Sequence, residues 1–168
     1  CRPTMPSAVR FACAWKLRQR GADALLLDAA QFPRVKLCAG WITPQVLRDL
    51  ETSPAQYPGG LTHFRRFEVW IKRLHIRLPT DQYAIRRVEF DDWLLRRAGV
   101  ETLRHAVRTV RYAGGQYILD EQYAARWLVG AGGTRCPVRR ALFEPPQSRA
   151  RGTLIVAQEE DAIMKIKQ

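Results

Sequence analysis

Asp28 closes the apolar run Leu25-Leu-Leu, and that run follows a helix-like stretch ending at Gly21. A carboxylate at the tip of a buried strand can accept hydrogen bonds from a ribose diol. A solvated acid ending an ordinary strand has the same sequence. Far along the chain, Gly130-Ala131-Gly132-Gly133 precedes Thr134, Cys136, Pro137 and the run Val138–Leu142. Glycines let a backbone approach a phosphate, and a following helix offers N–H donors toward it; a plain strand-to-helix turn reads equally well. Cys38 lies in the loop Gln31–Trp41 with Pro33, Gly40 and the cations Arg34 and Lys36. It is either a site thiol or a small hydrophobe. Glu89, Asp91 and Asp92 read as first-turn acids favoured by a helix dipole. No pair of acids, and no His with a carboxylate, stands at a spacing that names a general acid or base.

The elements needed to position these groups follow from periodicity. Cys13, Ala14 and Leu17 with Lys16, Arg18 and Arg20 predict the end of an amphipathic helix, stopped by Gly21. Thr43 with Pro44 predicts a capped short helix with Val46, Leu47 and Leu50 inward. Ser53–Gly60 is turn-rich. From Leu61 to Leu78 the residues alternate, which predicts strands facing a second layer, and Tyr83–Ile85 reads as a separate short strand. A helix is predicted over Glu89–Ala98 with Phe90, Trp93, Leu94 and Ala98 on one stripe. Val107–Tyr112 and Gln116–Leu119 flank Gly114-Gly115, a hairpin signal. Tyr123–Val129 is predicted as a further strand running straight into Gly130.

Composition bounds the rest. The chain has 168 residues, 46% apolar and 26% charged, which excludes wholesale disorder. No apolar run approaches the length of a membrane helix, and Phe11–Trp15 is too short for a signal-peptide core. Four cysteines (Cys1, Cys13, Cys38, Cys136) and three histidines (His63, His75, His105) are scattered, so neither a zinc site nor a disulfide framework is indicated. A reduced, cytoplasmic setting is expected. The net charge of +12 comes from 28 basic residues, of which only Lys16, Lys36, Lys72, Lys165 and Lys167 are lysines. The arginines come singly or in pairs, with no basic run and no aromatic interleaving, so nucleic-acid binding is not favoured. The alternative reading is a non-catalytic basic protein that meets nucleic acid or an anionic surface.

Four motifs then occur in one order: Leu25-Leu-Leu-Asp28; Phe32-Pro-Arg-Val-Lys-Leu-Cys-Ala-Gly40; Tyr83-Ala-Ile-Arg-Arg-Val-Glu-Phe-Asp-Asp-Trp-Leu-Leu95; and Leu128-Val-Gly-Ala-Gly-Gly-Thr-Arg-Cys-Pro-Val-Arg139. From Cys13 to Glu160 the chain resembles the geranylgeranyl-reductase-like, FAD-dependent oxidoreductases of the p-hydroxybenzoate-hydroxylase type. The resemblance implies an α/β fold: a partial Rossmann-like FAD-binding domain of glutathione-reductase type, with part of an antiparallel substrate-domain sheet. Residues 1–60 and 86–145 would belong to the FAD-binding domain, 61–85 to a first excursion into the substrate sheet, and 146–168 to the start of a second.

The same resemblance implies roles for single residues. Asp28 would hold the adenosine ribose of FAD. Arg34 and Lys36 would lie near its phosphates and Cys38 near the ring or substrate. Arg87 would reach the cofactor. Gly130, Ala131, Gly132 and Gly133 would touch the pyrophosphate and ribityl region. The substrate would be small and apolar, isoprenoid-like, with Trp41 and Trp70 as pocket candidates; peripheral contact with a membrane stays open. The family's G-x-G-x-x-G would fall on Met5, Ser7 and Arg10, none of them glycine, and Gly132 replaces the usual acid of G-A-D-G. The expectation is therefore an N-terminal portion, cut at both ends, that holds FAD weakly or not at all on its own.

Overall fold

The computed structural model describes residues 7–35, 38, 40–133 and 136–143. They form two units, one from residues 7–34 and 93–143, the other from 35–92.

In the first unit, α1 (Ser7–Gln19) stops where the sequence predicts. The Gly21 N–H bonds the Arg18 carbonyl at 2.9 Å and the Ala22 N–H bonds the Leu17 carbonyl at 3.0 Å, the two bonds of a Schellman close. The chain then enters β1 (Leu25–Asp28), which pairs in parallel with β5 (Glu101–Arg104); Leu25 faces Glu101 and Asp28 faces Arg104. The sequence of β5, Glu-Thr-Leu-Arg, predicts no strand, because it carries no apolar run and its ladder partner β1 is remote. Between them, α3 (Arg87–Ala98) presents Leu94 and Ala98 to the core of this unit. Arg97 lies over the rings of Trp15 (4.4 Å) and Trp93 (5.2 Å), and Arg18 donates to the Gly99 carbonyl, so the ends of α1 and α3 are tied together.

A three-stranded meander completes the unit: β6 (Val110–Ala113), β7 (Gln116–Leu119) and β8 (Tyr123–Ala125). The predicted Gly114-Gly115 hairpin forms, both glycines having positive φ, as a type I′ turn requires. The second turn, over residues 120–122, also has two positive φ values, at Asp120 (φ 49) and Glu121 (φ 55), without any glycine. Two strand limits differ from the sequence expectation. The strand expected over Tyr123–Val129 ends at Ala125, because Tyr117 is its ladder partner there and β7 begins at Gln116. Trp127 beyond it is 85% exposed. The strand expected from Val107 begins at Val110, because the Asp120 carboxylate takes the Arg108 and Thr109 N–H groups. The unit's described part ends with α4 (Pro137–Leu142).

In the second unit, β2 (Trp41–Ile42), β3 (Leu61–Ile71) and β4 (Leu74–Ile85) form an antiparallel sheet in the order β2-β4-β3. The separate strand expected at Tyr83–Ile85 is the end of β4. Pro79 lies inside β4 opposite Arg66, next to a register shift between Phe64 and Arg66 on β3, a place where a missing N–H is tolerated. Pairs Phe67–Leu78, Val69–Ile76 and Ile71–Leu74 share one face of the hairpin. The second layer expected over the hairpin does not cover it among the described residues, since Ile71, Leu74 and Leu78 are exposed. On the other face Trp70 stacks on His75 with centroids 3.9 Å apart, and Glu68 meets Arg77 and His75.

The core of this unit gathers Ile42, Leu47, Leu50, Tyr57, Ala84, Ile85 and Phe90. Leu47 and Leu50 belong to or follow α2 (Pro44–Asp49), and Thr43 takes its N-cap position without a side-chain bond. Tyr57 packs on Phe90 with centroids 5.5 Å apart. Burial pushes its phenol up to about 12, with the carboxylates of Glu89 and Asp91 adding to the shift.

Candidate cofactor site

Each unit contributes its own set of the residues singled out by sequence. In the first, Asp28 ends β1 and is buried, not solvated. Its Oδ2 accepts from the Arg10 guanidinium and its Oδ1 from the Ala30 N–H at 2.9 Å. The Asp28 carbonyl accepts from the His105 N–H at 2.9 Å, which extends the parallel ladder by one bond. The two charged side chains are 10% and 7% exposed. Arg10 is the partner that sequence reasoning missed. In the sequence it stands out only as a residue where the resemblance places glycine, and a charge on α1 gives no sign of which strand end it meets.

Arg34 lies over the Phe32 ring at 5.5 Å, and Phe32 meets Phe11 edge-on at 5.1 Å. The glycine corner is closed on its far side by the chain itself. A methyl at Gly130 would come 2.7 Å from Val138 Cβ and 3.1 Å from Cys136 Sγ, and one at Gly132 would come 3.2 Å from Cys136 Cα. Those two glycines therefore let Cys136 and Val138 pack closely, whatever else they do. Ala131 and Gly133 are half-buried beside them. The Cys136 N–H bonds the Gly133 carbonyl at 2.9 Å.

In the second unit, Cys38 is half-buried and its sulfur accepts from the Gly40 N–H at 3.4 Å. Lys36 lies outside the described residues. Arg87 donates to Asp91 Oδ1 at 2.5 Å across one turn of α3, with both side chains buried. Glu89 takes Arg86. Glu89 and Asp91 thus each hold an arginine at the start of this helix, which is a structural role. Trp41 sits against Phe67 at 5.0 Å and is exposed, as is Trp70.

One charged cluster was not anticipated. Asp120, at its strained turn, accepts from the Thr109 N–H (2.7 Å), the Thr109 hydroxyl (2.9 Å) and the Arg108 N–H (3.1 Å), and its Oδ2 lies 2.7 Å from His105 Nε2. The Thr109 N–H, then the His105 ring, hold its carboxyl well below the usual carboxylate range. A lowered folded-state pKa means stability present above the unfolded value and lost as pH falls through the folded one. Asp120→Asn is expected to lower the melting temperature at neutral pH and to flatten its decline below about pH 4. Circular-dichroism melts across the acid range check this; a variant whose decline parallels the parent's would remove Asp120 from that role.

No family model matches the chain, and no curated protein matches it. Solved structures do. pqsL, a probable FAD-dependent monooxygenase from Pseudomonas aeruginosa, superposes with a TM-score of 0.65 at 17% identity, over 79% of this chain and 42% of that one. The flavin-dependent brominase Bmp2 matches with a TM-score of 0.53 at 22% identity, over 73% and 33%. A triple mutant of that brominase gives 0.54 at 24%, over 73% and 35%. What is shared is the fold. This α/β chain has the fold of part of such flavin-dependent enzymes, and it spans only a third to two-fifths of their lengths. No helix among the described residues is long and apolar enough to cross a membrane.

Those enzymes are flavin- or FAD-dependent, and the described residues can be tested against FAD. An adenine dinucleotide needs a carboxylate able to accept from the ribose and a backbone corner open to the pyrophosphate. Both oxygens of Asp28 are engaged, and the group is buried beneath Arg10. Gly130 and Gly132 carry Cys136 and Val138 where a Cβ would project. As they stand, these residues do not fit FAD.

Proposed function

We propose that the chain is a stretch of a FAD-dependent oxidoreductase, geranylgeranyl-reductase-like in kind, and that on its own this stretch holds FAD weakly or not at all. The fold likeness to pqsL over 79% of the chain carries the reading, and the order of the four motifs agrees with it. Residues 1–60 and 86–145 form the cofactor side and 61–85 the substrate side, with 146–168 continuing toward the latter. The hairpin face of Phe67, Val69, Ile71, Leu74, Ile76 and Leu78 suits a small apolar, isoprenoid-like substrate, and a cytoplasmic setting agrees with Cys13, Cys38 and Cys136 standing outside any disulfide.

Titration of FAD fluorescence with the purified chain tests this. The protein is expected to be colourless and to quench FAD saturably only at high protein concentration, with salt having little effect. A yellow protein that purifies with FAD bound, or one that quenches FAD tightly and stoichiometrically, would sink the proposal. Steeply salt-dependent binding to DNA in its place would favour the basic, non-catalytic alternative.

A further inference from the structure

We infer that Arg10 acts as an internal lock: its guanidinium occupies the Asp28 carboxylate and keeps the chain closed to the adenosine half of a dinucleotide. The inference rests on the proposed flavoprotein reading, which makes Asp28 the ribose acceptor.

Three observations carry it. Arg10 stands where the glycine spacing would place the third glycine, the residue that lets helix and strand approach closely. Its side chain fills that space, only 10% exposed, with its Nε buried and making no hydrogen bond among the described residues. A group held for its own hydrogen bonding would satisfy that donor; one buried with a donor unmet is held by the carboxylate it faces. Finally, Asp28 keeps its second oxygen on the Ala30 N–H, so its orientation at the end of β1 does not depend on Arg10 alone. Removing the guanidinium would leave the acid aimed into the vacated slot. Neutral ribose hydroxyls cannot displace a charge-assisted bond of this kind on equal terms.

The experiment compares the whole chain with Arg10→Gly and with Arg10→Gly/Asp28→Asn, using ADP as the probe in calorimetry and a thermal melt to verify folding. Arg10→Gly is expected to bind ADP about tenfold more tightly or better, and the double variant is expected to return to the parent affinity. A folded Arg10→Gly with no gain, or a double variant that keeps the gain, overturns the lock. If Arg10→Gly fails to melt cooperatively, Arg10→Gln carries the same comparison: it keeps a donor but loses the charge, so a gain of a few-fold is expected, and none overturns the inference. ADP reads the adenosine half alone. An absent gain with intact FAD quenching by the parent chain therefore removes the lock and leaves the flavin reading standing. A gain upholds the lock whether or not the parent chain quenches FAD, because a closed parent is what the lock predicts; steeply salt-dependent DNA binding by the parent, with no ADP gain in Arg10→Gly, removes both the lock and the flavin reading.

Discussion

Replacing Arg87 with Met is expected to lower stability by about 3–5 kcal/mol. The side chains of Arg87 and Asp91 are 8% and 1% exposed, and they meet at 2.5 Å one helical turn apart. An ion pair taken out of water gains little net, because desolvation cancels most of the attraction; removing one partner leaves the other charge buried and uncompensated. Asp91 Oδ2 is already buried without a hydrogen bond, so no neighbouring donor stands ready to take over. Arg87→Met/Asp91→Leu is expected to recover most of the loss, since two apolar side chains of similar size need no solvation. Urea unfolding gives the answer as a shift in midpoint at constant slope. A single variant within about 1 kcal/mol of the parent would mean that water reaches Asp91.

Gly40→Ala is the second large effect, expected at about 3 kcal/mol, or a fall of roughly 10 °C in melting temperature. Gly40 has φ +68, in the left-handed region that alanine adopts only under strain. Its added methyl would overlap the Ile85 carbonyl oxygen and stand 3.5 Å from the carbonyl carbon. The obstacle is backbone, not a side chain that can swing away, and the Ile85 N–H also bonds the Gly40 carbonyl at 2.8 Å. Relief would have to break the contact that joins this loop to the end of β4. A melting temperature within about 2 °C of the parent would show that the loop moves aside.

Local signals were the legible part of this fold. Gly21 stops α1, Asp28 ends β1, Pro44 opens α2 and Gly114-Gly115 turns β6 into β7, each through chemistry confined to a few neighbouring residues. What escaped depends on distant partners or on turns without the usual residues. Glu101–Arg104 becomes a strand only because β1 lies beside it. Lys72 (φ 57) and the Asp120-Glu121 pair turn tight corners with residues that do not announce them, and so the hairpin β3–β4 reads as fragments. At the site, the sequence marks Asp28 as an acid worth following and Arg10 as an odd residue where glycine belongs. That the two neutralise each other is a fact about helix and strand in space, which neither stretch contains by itself.

The parallel pairing of β1 with β5 sets the order in which the first unit assembles. The meander of β6, β7 and β8 closes through turns of two and three residues, so little loop-closure entropy opposes it. Residue 25 can meet residue 101 only after the whole intervening stretch, an entire second unit included, has been drawn in. Loop closure over that distance is paid before any ladder bond forms. The meander is therefore expected to form first in this half of the chain, with the strand pair that carries Asp28 completed later.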